Sequence, residues 1–181
     1  CSSDLLVYTP DQADLFARIC GFFDQAGLSI LDAKVHTANN GYALDTFQVI
    51  TPSMADHYRE LISMVESELT LTLNKQAPLP VPVKGRVSRR VKSFPIQPRV
   101  RLEPDEKAQK WLLSISASDR LGLLYNVANV LAKHGINLQL AKISTLGERV
   151  EDTFLISGPA LQQNKAQIEI ETELLQVLQS A

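Results

Sequence analysis

An internal repeat constrains the fold of this chain more than any other feature of its sequence. The segment from Asp11 to Thr37 aligns without gaps with the segment from Asp119 to Thr145. After one residue is lost in a turn, Asp45-Thr46-Phe47 aligns with Asp152-Thr153-Phe154. Self-similarity at this distance indicates that one small folding unit occurs twice.

Each copy combines the spacing of an amphipathic helix with that of a strand pair. In the first copy, apolar residues recur every three or four positions up to Ala26, and Gly27 supplies the left-handed residue that ends a helix. Residues 31–36 then alternate apolar and polar side chains, which predicts a half-buried strand. The turn Asn39-Asn40-Gly41 predicts a hairpin. A strand before the first helix and a second helix after Pro52 give the order β-α-β-β-α.

This order predicts an α+β fold of two ferredoxin-like βαββαβ repeats, with antiparallel sheets and the helices on one face. We assign residues 1–75 to the first repeat, 76–109 to a Pro- and Arg-rich connector, and 110–181 to the second repeat. Residues 99–103 alternate charged and apolar side chains, so we expect them to close the first repeat. The second repeat then either lacks a closing strand or borrows one.

Composition narrows the partners and the compartment. The net charge of -2 selects neither nucleic acid nor an anionic membrane, and no apolar run approaches the roughly 20 residues of a membrane span. Without a signal peptide or an initiator Met, the chain resembles a segment of a longer cytoplasmic protein. Cys1 and Cys20 indicate neither a disulfide nor a metal site. The basic run between Lys84 and Arg101 has two interpretations, a phosphate or nucleic-acid patch or a solvated connector that docks on an acidic face of its parent chain. We favour the connector, because no aromatic residues are interleaved for base stacking.

A catalytic constellation is hard to find in the sequence. Three histidines, His36, His57 and His134, stand in no nucleophile or metal motif, and we expect them at the surface or at a rim. Asp45 and Asp152 each precede a core Phe by two residues, on the same face of a strand. Each is either a catalytic carboxylate or an Asp at the rim of a strand that accepts backbone hydrogen bonds or pairs with a nearby Lys. We favour the second interpretation, because neither has a carboxylate partner.

The loop between first strand and first helix is the remaining candidate for chemistry. In the second copy, the sequence from Ser118 to Leu123 places Gly122 just before the helix. Free N–H groups at a helix N-terminus can hold a carboxylate, and a Gly there lets a ligand approach the backbone. The alternative is structural, with Asp119 as the N-cap and Gly122 as a turn residue.

At this loop the chain resembles the ACT domain family, whose signature there is Asp-x-Pro-Gly-Leu. The resemblance covers both copies and implies ligand positions in the loop before the helix and at the start of the next strand, at the interface between copies. It implies no catalytic residue and no metal ligand in this chain. The implied positions are Asp11, Gln12, Ala13, Asp14, Leu15, Ser29 and Ile30 in the first copy, and Asp119, Arg120, Leu121, Gly122, Leu123, Asn137 and Leu138 in the second.

Both copies depart from the signature. Ala13 and Asp14 stand where the family has Pro and Gly, and Leu121 replaces the Pro in the second copy, which keeps Gly122. The Asp14 side chain adds a negative charge where a ligand carboxylate approaches. We therefore expect the carboxylate at the second loop.

More narrowly, residues 36–49, residues 143–156 and the connector resemble the tandem ACT region of the bifunctional PII uridylyltransferase/uridylyl-removing enzyme family. This resemblance implies a glutamine sensor that sets whether the parent enzyme adds UMP to PII or removes it. It also implies a parent that uses Mg²⁺ in separate catalytic domains. The alternative is an interaction module that docks on PII or on those domains and binds no small ligand. We leave a homodimer open.

Overall fold

The computed structural model describes residues 2–38, 40–50, 58–82, 96–107 and 109–179. The predicted start of the second helix at Pro52 lies outside these ranges, as do Asn39 of the predicted turn, Cys1, His57 and the basic residues 84–92. Each repeat shows the order β-α-β-β-α, as the sequence predicts. The elements are β1 (Ser2–Pro10), α1 (Leu15–Gln25), β2 (Ser29–His36), β3 (Tyr42–Ile50), α2 (Tyr58–Lys75), β4 (Arg99–Pro104), β5 (Trp111–Ser118), α3 (Leu123–Lys133), β6 (Asn137–Leu146), β7 (Arg149–Ser157), a 3-10 turn (Pro159–Gln162) and α4 (Asn164–Gln179).

The two repeats share one antiparallel sheet of seven strands, in the order β1-β3-β2-β6-β7-β5-β4. The expected α+β class is confirmed, but the sheet runs continuously from one repeat into the other. β2 and β6 join the repeats, and Val35 pairs with Ala141 near the middle of this junction. Each of these strands would otherwise be an edge strand with unpaired backbone groups. Their pairing satisfies both edges at once.

We expected residues 99–103 to close the first repeat. In the structure they close the second repeat instead. In the structure β4 pairs with β5, and Arg99 lies opposite Ser116 while Glu103 lies opposite Leu112. The short connection through residues 105–110 makes this a local hairpin, and short loops cost less entropy to close than long ones. The second repeat thus borrows its closing strand from the connector.

The helices cover one face of the sheet, and the core is continuous across the two repeats. Phe16 of α1 lies between two strand residues, with ring centroids 6.5 Å from Phe47 and 6.2 Å from Phe154. Phe47 belongs to the first repeat and Phe154 to the second. Helices α1 and α3 also pack against each other. Because the two copies share these contacts, we expect them to unfold as one unit.

The start of the connector packs across α1 and α3 and forms hydrogen bonds with both helices. Gln25 Nε2 donates a 3.0 Å hydrogen bond to the carbonyl of Val81, and the Tyr125 hydroxyl donates to the carbonyl of Pro80. These contacts involve only the start of the connector, whereas the basic residues 84–92, for which we predicted docking, lie outside the described residues. Within the described part of the chain, no helix has the length and apolar character that crossing a membrane requires.

Candidate functional site

The sheet topology places the helix-start loop of each repeat beside the other repeat. Antiparallel pairing of β2 with β6 brings the first residues of each strand next to the loop of the opposite copy. The first loop (residues 11–15) therefore meets Asn137 and Leu138, and the second loop (residues 119–123) meets Ser29 and Ile30. The implied ligand positions come together in two sets, each built from both repeats.

The first set lines a partly open cavity of about 680 Å³. It lies between the first loop, the end of β2, the start of β3, and the segment that leads from α3 into β6. Of the described residues that line it, none is Lys or Arg, whereas three are Asp. Its polar side chains are Asp11, Gln12, Asp14, Thr37, Asp45, Asn137, Gln139 and Ser157. The cavity is thus acidic and rich in neutral amides.

The second set leaves a cavity of only about 40 Å³. Leu121, Leu124 and Tyr125 line it, and the Arg120 side chain donates a hydrogen bond to the carbonyl of Val177. Burial raises the pKa of Asp119 above its ordinary value and lowers the pKa of Arg120. This space suits a few water molecules. The cavity beside the first loop is thus much the larger of the two, although the sequence led us to expect the ligand carboxylate at the second loop.

Asp45 is the buried acid of the first cavity. Its side chain has no exposed surface, and Oδ1 accepts a 3.3 Å hydrogen bond from the backbone N–H of His36. Oδ2 has no hydrogen-bond partner among the described residues. Burial raises the pKa of Asp45 to about 6, against the weaker effect of the backbone hydrogen bond, which lowers it. A buried carboxyl group without a full set of partners is able to accept a ligand ammonium group once the side chains that cover it move aside.

Asp152 is the counterpart of Asp45 in the second repeat. Its Oδ1 accepts a 3.3 Å hydrogen bond from the backbone N–H of Ser144, and burial raises its pKa to about 7. The backbone hydrogen bonds agree with the structural interpretation of both aspartates. Sequence alternation located them on the core face, but it gave no sign that one of them borders a large cavity.

The residue before each helix adopts a left-handed backbone in both repeats. Gly122 has φ 78°, and Asp14 at the equivalent position has φ 59°. Non-Gly residues adopt this conformation at a cost, although Asp tolerates it better than most. Gly122 is therefore the N-cap, and Asp119 is not, contrary to the structural alternative considered from the sequence. The backbone N–H of Asp119 instead donates a 2.8 Å hydrogen bond to the carbonyl of Glu148.

The other candidate residues occupy ordinary positions. His36 is exposed on a strand, and His134 is half-buried with Nε2 3.4 Å from Glu173 Oε1, as expected for surface and rim residues. Cys20 is buried on α1, where burial raises the pKa of its thiol. In the described ranges, no three His, Cys, Asp or Glu side chains are grouped so that they would hold a metal ion.

Comparison with known protein families assigns the second repeat to a domain family. The family model for the ACT domain matches residues 111–170. The second repeat is an ACT domain. The first repeat has the same strand and helix order as the second and the aligned sequence described above. The pair therefore forms a tandem in which β2 and β6 meet.

Relatives match nearly the whole chain. It is 55% identical over 177 residues to a bifunctional uridylyltransferase/uridylyl-removing enzyme of Ralstonia nicotianae, covering 95% of this chain and 21% of the relative. It is 56% identical over 174 residues to the same enzyme of Aromatoleum aromaticum, covering 96% and 20%. The chain thus spans about a fifth of the length of these relatives. A crystal structure of an unknown protein from Galdieria sulphuraria is similar over 97% of this chain and 90% of its own, with 15% identity and a TM-score of 0.35.

Proposed function

We propose that this tandem ACT chain is a regulatory module that binds the amino acid glutamine in the first cavity. The observation that carries the proposal is the buried, incompletely hydrogen-bonded carboxyl group of Asp45 in a 680 Å³ cavity built from both repeats. A free amino acid is small enough for this space. Its ammonium group is the chemistry that a buried carboxylate selects.

The other lining groups fit the remainder of a glutamine molecule. The side-chain amides of Asn137 and Gln139 can both donate to and accept from the ligand amide. The start of α1 provides backbone N–H groups and the positive end of a helix dipole for the carboxylate. The Asp14 charge opposes that last contact, so we expect weak binding. A dissociation constant near millimolar corresponds to about 4 kcal/mol, and three contacts of this kind can supply it.

The position of the cavity gives binding a route to regulation. A ligand there contacts the first loop, which belongs to the first repeat, and the start of β6 in the second repeat. Binding therefore favours one arrangement of the two repeats. The names of the relatives lead us to propose that this arrangement controls uridylylation and deuridylylation of PII. Catalysis and its Mg²⁺ then belong to the rest of the parent chain. A coupling free energy of about 1–3 kcal/mol is sufficient for such control.

Titration calorimetry with L-glutamine tests the proposal, with a matched pair of variants. The internal repeat aligns Asn137 at the first cavity with Ser29 at the second, and both side chains are exposed enough to truncate without unfolding. Asn137→Ala should weaken binding, because the cavity loses an amide, whereas Ser29→Ala should leave the affinity unchanged. No heat with the folded chain, or equal effects of the two variants, would reject binding at the first cavity.

A second candidate is a module that docks on PII or on the catalytic domains of its parent without a small ligand. The face of the sheet opposite the helices favours it, because Leu44, Leu112 and Leu140 are exposed there in one cross-strand row. Exposed apolar patches of this kind often mark protein contacts. Co-purification of PII that persists without glutamine, and is lost in Leu140→Lys, would support this candidate over the first.

A further inference from the structure

Strand β1 is an unprotected edge of the sheet. Within the described residues it pairs with β3 and with no other strand, over the full register from Ser2 to Pro10. Its interior contains no proline, no lysine and no bulge, so of the devices that normally prevent an edge strand from pairing further it has only the single charge of Asp4. Leu6 and Tyr8 are 67% and 63% exposed. An edge with these properties is a ready template for another strand.

The opposite end of the sheet shows what covers the equivalent strand. The internal repeat aligns β1 with β5, and β5 is covered by β4, which precedes it directly through residues 105–110. Val100 and Leu102 of β4 lie opposite Ile115 and Leu113 on the helix-covered face. The residues of β1 aligned with Ile115 and Leu113 are Val7 and Leu5. Both are buried, and in the described part of the chain they have β3 on one side and no strand on the other.

We propose that β1 is covered by a strand formed from residues immediately upstream of Cys1 in the longer polypeptide, paired with β1 as a hairpin. If the repeat is followed, this strand lies within about a dozen residues before Ser2, since hairpin connections are short. The relatives extend over about five times the length of this chain, so they have residues to supply it. Apolar side chains at alternate positions of the new strand would lie beside Leu5 and Val7, as Val100 and Leu102 lie beside Leu113 and Ile115.

This strand would connect the candidate ligand site to the rest of the parent protein. In the sheet register, Val7 of β1 lies directly opposite Asp45 of β3. Only β1 thus separates the upstream strand from β3, which carries the carboxyl group that borders the first cavity. The link to signalling depends on the proposed function, whereas the strand pairing does not.

Amide hydrogen exchange on two lengths of the protein tests the pairing. One is the chain of 181 residues, and the other begins about 25 residues further upstream, long enough for a hairpin. We expect alternate β1 amides to exchange at least about tenfold more slowly in the longer version, because their N–H groups gain partners. The matched control is β5, which β4 covers in both versions, so its amides should exchange alike.

Three results would overturn the proposal. One is equal β1 exchange in the two versions while β5 stays protected. Another is protection of β1 in the longer version that disappears on dilution, because an intramolecular hairpin does not depend on concentration. The third is protection of β1 in the chain of 181 residues itself together with a doubled mass by light scattering, which would make a second copy the occupant. Glutamine binding enters none of these readouts, so failure of the proposed function would leave them unaffected.

Discussion

Replacing Asp45 by Asn should stabilise the fold and weaken ligand binding at the same time. Asn keeps an oxygen that can accept the hydrogen bond from the His36 N–H, but it cannot ionise. Burial raises the pKa of Asp45 from 3.8 to about 6, and one pKa unit corresponds to about 1.4 kcal/mol. The ionised side chain therefore costs the fold about 3 kcal/mol at neutral pH.

The pH dependence of this effect has a definite sign. Because the folded state holds the Asp45 proton more tightly than the unfolded state, stability falls as pH rises from about 4 to above 6. Asp45→Asn removes that loss, so urea denaturation at pH 7.5 should show a gain approaching 3 kcal/mol, and at pH 4 almost none. Equal effects at both pH values would refute the buried-carboxyl reasoning.

The same variant should bind glutamine worse. A hydrogen bond to a charged group contributes about 1.5–3 kcal/mol, so losing it should weaken affinity by about ten- to a hundredfold. Asp152→Asn is the matched control. Its pKa is raised to about 7, so it should also stabilise the fold at pH 8, yet it borders the small cavity and should leave glutamine affinity unchanged. An unchanged affinity in Asp45→Asn would remove Asp45 from the site.

Three further predictions concern the backbone and the pH dependence of binding. Asp14→Gly should stabilise the chain by about 0.5–1 kcal/mol, and Gly122→Ala should destabilise it by about 1 kcal/mol, because the backbone is left-handed at both positions. Urea denaturation measures both changes, and effects of the same sign would contradict this reasoning. Gly21→Ala should lower stability by about 1–3 kcal/mol, since its Cβ would lie 2.7 Å from Cε2 of the buried Tyr125 ring, and an unchanged melting temperature would show that this contact is loose. Glutamine affinity should fall as pH drops through about 6, because protonated Asp45 no longer attracts ammonium, and a flat profile from pH 5 to 7.5 would exclude that contact.

The sequence predicted the repeated elements because each depends on local pattern. The apolar stripe, the Gly after each first helix and the turn at Asn40-Gly41 are all encoded within a few residues. The class of the fold follows from their order. Alternation also places Asp45 and Asp152 on the same face as the core Phe residues, but we expected them at the rim, whereas the structure buries both.

What the sequence could not settle depends on contacts between distant segments. The alternation in residues 99–103 predicts a strand but does not specify which edge of the sheet the strand joins. In the structure it forms a hairpin with β5. The continuous sheet depends on β2 and β6 meeting as edges, which neither pattern specifies. The unequal cavities depend on how Leu121, Tyr125 and Arg120 fill the second one. Side-chain packing of this kind has no signature in a single sequence.

The central claim is that a ligand ammonium group binds the Asp45 carboxyl in the first cavity. The most direct measurement follows the ¹³C chemical shift of that carboxyl by NMR while pH is varied, with and without saturating glutamine. Without ligand the midpoint should lie near pH 6, and with glutamine it should move to lower pH, because the ammonium group stabilises the ionised form. An Asp45 titration that is identical with and without glutamine, in a chain that binds it, would contradict the claim.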